Sequence, residues 1–196
     1  IRLSKSDNNT IKNNKFLNDK IIVVESSVYN KILNNNFFEN SRAACRTFLW
    51  DNSDHNIFSN NYLYNCFVGI SVMSNYNLVT KNTFIKSNFI SISVGISACD
   101  NVISYNYIQG KNNSYGIRLG YELTKMTSKN NIIKNNCIRN FLIGVKIYSV
   151  KNEIINNDFY DNKKHIGAYY NFIPVKTSLA QKFLIMYIMI ASRSLY

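Results

Sequence analysis

Short stretches in which apolar and polar residues alternate recur along nearly the whole chain, separated by polar corners. The clearest reads asparagine, any residue, an aliphatic residue, two further residues, asparagine, any residue, an apolar residue. It occurs at Asn9–Phe16 (NTIKNNKF), Asn30–Phe37 (NKILNNNF), Asn77–Phe84 (NLVTKNTF) and Asn101–Ile108 (NVISYNYI). It returns at Asn131–Ile138 (NIIKNNCI) and Asn152–Phe159 (NEIINNDF), with a variant, His55–Tyr62 (HNIFSNNY), that begins on histidine. The aliphatic anchors are Ile11, Ile32, Ile57, Val79, Ile103, Ile133 and Ile154, spaced by 21, 25, 22, 24, 30 and 21 residues. A second signature lies upstream of each asparagine: GISV from Gly69, GISA from Gly95, GIRL from Gly116, GVKI from Gly144, and a degenerate IGAYY from Ile166. Alternation of period two predicts strands, so that Ile70 and Val72 face inward and Ser71 outward.

Three short strands per repeat of about 22 residues predict one coil of a parallel β-helix. A single coil cannot bury its apolar face, whereas stacked coils bury a continuous one. No long amphipathic segment precedes residue 175 and no glycine-rich phosphate loop occurs, which argues against a helix bundle or a dinucleotide-binding domain. No apolar run reaches 18 residues, so no transmembrane segment is expected.

Composition sharpens this picture. Of 196 residues, 33 are asparagine and 26 isoleucine, with 7 glycines and 1 proline. Asparagine favours neither helix nor strand, so such an excess must serve corners on a regular plan. The second asparagine of the motif gives a series: Asn14, Asn35, Asn60 (or its neighbour Asn61), Asn82, Asn106, Asn136 and Asn157. These are expected at a sharp corner, tolerating left-handed backbone and linking amide to amide between coils roughly 4.8 Å apart.

In these segments the chain resembles right-handed parallel β-helix repeat proteins, in particular the NosD-like and carbohydrate-active branch, over roughly residues 8 to 170. The resemblance implies a periplasmic, secreted or cell-surface location. It also implies roles from polysaccharide cleavage through copper-centre maturation to adhesion. The expected fold is therefore all-β, a right-handed parallel β-helix of about seven coils over residues 1–173. Residues 174–196 change character after Pro174: Phe183 to Ala191 are nine consecutive apolar residues, either a helical or irregular cap or a degenerate tail. Repeats begin by residue 9 without an evident cap, which suggests further β-helix domains in a longer parent chain.

Insertions in solenoids gather on one face, often the binding face. The longest separates Leu119 from Asn131 and carries Tyr121, Glu122 and Lys125. A shorter one joins Ile108 to Gly116, and a third, Ser41 to Asn56, holds the sole tryptophan, Trp50, beside Asp51 and Asp54.

Acid–base cleavage of glycosides needs two carboxylates facing one cleft. Among 11 acids the tightest group is Asp51 and Asp54, next to His55. The outward positions of the GIxV sheet, read as Ser71, Ser97, Arg118 and Lys146, hold no acid. Lyases on this fold are expected to carry a calcium-binding acid cluster, which does not accompany Arg118 and Lys146. Catalytic candidates are thus Arg118, Glu122, Lys146, Asp51, Asp54 and His55, with turn-capping the competing account of the aspartates. No metal set is visible: Cys45, Cys66, Cys99 and Cys137 form no Cys-x-x-Cys pair, and His55 and His165 lie coils apart. No cofactor is expected. Cys45 and Cys66 precede their anchors by 12 and 13 residues, so a disulfide between them is one expectation and two buried thiols the other.

The net charge is +12, from 23 basic and 11 acidic residues, with lysines spread over the corners rather than gathered into a nucleic-acid patch. Fourteen tyrosines accompany it. Acidic polysaccharide or another cell-surface polymer suits a basic, tyrosine-rich face, although an AT-rich coding bias would enrich Asn, Lys, Ile and Tyr together. The ligand-binding candidates are Tyr115, Arg118, Tyr121, Lys125, Lys146 and Trp50. The expected function is a non-catalytic binding solenoid. A polysaccharide lyase or hydrolase with its site beside Arg118 and Glu122, an accessory NosD-like copper-maturation role and a fragment of a longer repeat protein are the alternatives. The sequons at Asn8 and Asn112 weigh little in so asparagine-rich a chain.

Overall fold

The computed structural model describes residues 1–17, 22–38, 47–121 and 128–169, and in these all regular structure is parallel strand. Three sheets run the length of a β-helix. The first has eight strands: Arg2–Ser4, Ile22–Glu25, Thr47–Trp50, Val68–Val72, Ile90–Val94, Tyr115–Leu119, Ile143–Ile147 and Lys164–Ala168. The second and third have seven each, running from Thr10–Lys12 to Glu153–Ile155 and from Lys15–Leu17 to Asp158–Tyr160. The described residues therefore make seven three-strand coils and enter an eighth.

Each strand of the second and third sheets turns its second side chain inward. Ile11, Ile32, Phe58, Val79, Ile103, Ile133 and Ile154 form one buried row; Phe16, Phe37, Leu63, Phe84, Ile108, Ile138 and Phe159 form another. The first sheet adds pairs such as Ile70 with Val72 and Ile117 with Leu119. At about 1.5–3 kcal/mol for each fully buried side chain, these rows are the main stabilising term.

Register corrects three readings of the sequence. Phe58, not Ile57, pairs with Ile32 and Val79, so the third repeat is framed one residue later and its spacings are 26 and 21. The counterpart of Ile70 in the next coil is Ile92, so Ser91–Val94 (SISV) is the strand signature and GISA from Gly95 lies beyond it. The outward residue there is Ser93 rather than Ser97. In the last coil Gly167 pairs with Lys146, which puts His165 at the position of Gly144. Each frame error arose where neighbouring residues or successive short segments fit the same pattern, and only hydrogen-bonded pairing separates them.

The corner between second and third sheets is two residues long in every coil. Its second residue is the ladder asparagine: each side-chain oxygen accepts the backbone N–H of the asparagine one coil earlier, along Asn14, Asn35, Asn61, Asn82, Asn106, Asn136 and Asn157 at 2.9–3.0 Å. Asn61 therefore occupies the slot assigned to Asn60. The first residue of the corner takes the left-handed backbone, at Asn13, Asn34, Asn60, Lys81, Tyr105, Asn135 and Asn156. Left-handed strain and amide bonding thus fall on neighbouring residues, where the sequence had suggested a single one. A second ladder, Asn9, Asn30, Asn56, Asn77, Asn101, Asn131 and Asn152, repeats the arrangement at the preceding corner.

Candidate polymer-binding face

The outward side of the first sheet carries most of the candidate residues. Pairing aligns Phe48, Ser71, Ser93, Arg118 and Lys146 in one row along the axis. A second row, one coil step apart each, runs Glu25, Trp50, Met73, Gly95, Gly120, Tyr148 and Tyr169. Serines, glycines and Met73 thus floor the middle, and aromatic and charged side chains stand at both ends. From the Trp50 strand to the Lys146 strand is four coil steps, about 19 Å.

At one end two cations rest on tyrosine rings. The Arg118 guanidinium lies 4.0 Å from the centre of the Tyr121 ring and donates to Ser93 Oγ at 2.9 Å. Burial pulls its pKa below the usual arginine value, against the opposing pull of Tyr121 and Tyr148. Arg118 Nε is buried with no hydrogen-bond partner. Lys146 Nζ stands over three rings, Tyr115 at 4.4 Å, Tyr148 at 5.1 Å and Tyr169 at 5.2 Å, and Lys164 reaches Tyr169 from the next strand. Burial works to lower the Lys146 pKa, but hydrogen bonds and charge interaction with Tyr148 and Tyr115 outweigh it and hold the ammonium above its ordinary value. Among the described residues the ion pairs are Arg2–Glu25 and Arg139–Asp161, so neither Arg118 nor Lys146 is neutralised by a described carboxylate.

At the other end Arg2 pairs with Glu25, and Trp50 packs on Phe48 with ring centres 5.8 Å apart. Sequence reasoning did not single out Arg2, Glu25, Phe48, Tyr148 or Tyr169. Writing the repeats in register at the position after Leu49, Ile147 and Ala168 would have exposed the column of Trp50, Tyr148 and Tyr169.

Other candidates lie elsewhere. Asp54 accepts the Asn75 backbone N–H at 2.7 Å, bridging corners of adjacent coils. His55 is stacked between Tyr29 and Tyr76, with centroids 5.1 Å from each, on an exposed corner of left-handed residues. Asp51 is exposed beside Trp50. Glu122, Lys125, Cys45 with its proposed pairing to Cys66, and the segment 174–196 lie outside the described residues.

A parallel β-helix with one long outward face, cationic and aromatic at one end, defines the protein as a parallel β-solenoid repeat protein. A family model described as "Periplasmic copper-binding protein (NosD)" matches residues 45–171, and the chain belongs to that family. Comparison with curated proteins gave no match.

The family's description raises copper, and the described residues can be tested against it. No three of their His, Cys, Asp and Glu side chains converge. His55 lies in a tyrosine stack, and His165 packs on Phe159 with Nδ1 buried. Burial, then Asp158, pushes the Cys137 thiol up and disfavours the thiolate a soft metal requires. The described residues do not fit a preformed copper centre.

Proposed function

We propose that this protein is a non-catalytic extracytoplasmic module that holds an acidic polysaccharide or similar anionic surface polymer along the outward face of its first sheet. One observation carries the reading: Arg118 and Lys146 occupy one outward row in adjacent coils, each seated on tyrosine rings and neither ion-paired to a described acid. Uronate carboxylates would pair with the two cations, and sugar rings would lie on the exposed Tyr169 and the accessible edges of its half-buried neighbours. Family membership supports an extracytoplasmic setting through its periplasmic description.

Retardation of the chain in gels containing polygalacturonate tests the reading, with sugar products analysed in parallel. The parent chain is expected to be retarded without shortening the polymer. Arg118→Ala with Lys146→Ala should abolish retardation, as should about 1 M salt, where the Debye length falls to ~3 Å. Equal retardation of the double variant, or release of shortened or unsaturated products, would overturn it.

A further inference from the structure

A cavity of about 540 Å³ opens on the same sheet face at its other end, lined by Ile1, Arg2, Val23, Glu25, Trp50 and Asp51. Its volume lies within the ~300–1,000 Å³ common to small-ligand sites. We propose that this cavity is a saccharide subsite selective for neutral or amine-bearing pyranose units.

The chemistry of the lining supports this assignment. Trp50 is 45% exposed, so an indole face is open to ligand. Phe48 backs the ring from the neighbouring outward position of the same strand, which fixes the platform before a ligand arrives. No described residue donates a hydrogen bond to the Asp51 carboxylate; its backbone oxygen alone is engaged, accepting the Ser26 N–H at 2.9 Å. Glu25 is held in place by Arg2. A pyranose seated with its C–H face on Trp50 would direct hydroxyl or ammonium hydrogens to Asp51 and Glu25. A uronate would bring a third carboxylate into a lining where Arg2 already offsets Glu25 and Asp51 is paired with no described cation, and is disfavoured there. The preference is opposite to that of the Arg118–Lys146 end. The subsite rests on the polymer reading only in that one ligand chain could span both ends.

Trp50 is the sole tryptophan of the chain, so tryptophan emission reports this cavity and not the tyrosine–lysine end. The probes are oligomers of glucosamine, of N-acetylglucosamine and of galacturonic acid. The expected result is a saturable emission change with one or both of the first two and none with the third. It should survive Lys146→Ala and weaken about tenfold in Asp51→Asn, with the thermal melt of that variant unchanged. An emission that ignores both amino-sugar series, follows oligogalacturonate alone, or responds equally in Asp51→Asn would overturn the subsite. Failure of the polymer reading shows separately, as unchanged polygalacturonate retardation in the double variant while the Trp50 response persists.

Discussion

The side-chain oxygen of Asn106 accepts both the backbone N–H of Asn82, at 2.9 Å, and its side-chain amide, at 3.0 Å, across one coil step. Asn106 in turn donates its own amide to Val79 O and Asn136 Oδ1. Each ladder asparagine is thus an acceptor for one neighbour and a donor to the other, and all of the inner members are buried. Replacing Asn106 by alanine leaves the buried backbone N–H of Asn82 without an acceptor and its side-chain amide with Phe58 O alone. A loss of about 3 kcal/mol is expected from the desolvation cost of such groups, measurable by urea denaturation.

The corner at residues 60 and 61 separates the two duties of asparagine. Asn60, with φ of 55°, holds the left-handed turn, and Asn61 holds the ladder. Asn60→Gly should change stability by less than about 0.5 kcal/mol, since glycine accepts that backbone freely. Asn61→Gly should cost about 3 kcal/mol by the argument for Asn106. Equal effects of the two substitutions would contradict this division.

A similar contrast applies at the third repeat. Phe58 is fully buried and Ile57 is half-exposed on the outer side. Phe58→Ala should cost about 3–5 kcal/mol, whereas Ile57→Ala should cost about 1 kcal/mol or less. Denaturation midpoints of the two variants compare them directly.

Gly116 marks a place where the coils come too close for a side chain. A Cβ there would stand 2.4 Å from the Gly144 backbone oxygen and 2.9 Å from the Ile138 side chain. Backbone cannot yield as a flexible side chain does, so Gly116→Ala is expected to destabilise by about 1–3 kcal/mol. The lowered melting temperature should leave the Trp50 emission spectrum of the folded chain unchanged.

Cys137 offers a pH-dependent check on its surroundings. Burial, then Asp158, raises its thiol pKa, so less thiolate is present at pH 8 than for an ordinary cysteine. Alkylation by iodoacetamide at pH 8 should be slower than for a model thiol and should accelerate as pH rises above the ordinary thiol range, near 8.5. Peptide mass spectrometry on timed samples reads the rate at this residue.

Much of the fold was legible before any coordinates. The spacing of Ile11, Ile32, Val79, Ile103, Ile133 and Ile154 marks coils because apolar side chains at a fixed period must stack to leave water. The face was half legible. Arg118, Lys146, Tyr115 and Trp50 stood out by type, but Tyr148, Tyr169, Arg2 and Glu25 did not, because their importance lies in which coil neighbours they meet. The slips at Ile57 and Gly95, and the choice left open between Asn60 and Asn61, have one origin: neighbouring residues or successive segments satisfy the pattern equally in one dimension.

The sequence by itself determined a parallel β-helix of about seven coils and the asparagine ladder that closes its corners, since both follow from periodicity and from what one side chain can bond. Only the tertiary structure decided which asparagine of each pair turns and which one bonds. It also decided that Trp50 stands on the same face as Arg118 and Lys146. Those relationships depend on the register between coils, and register is set by hydrogen bonds between residues 21 to 30 positions apart.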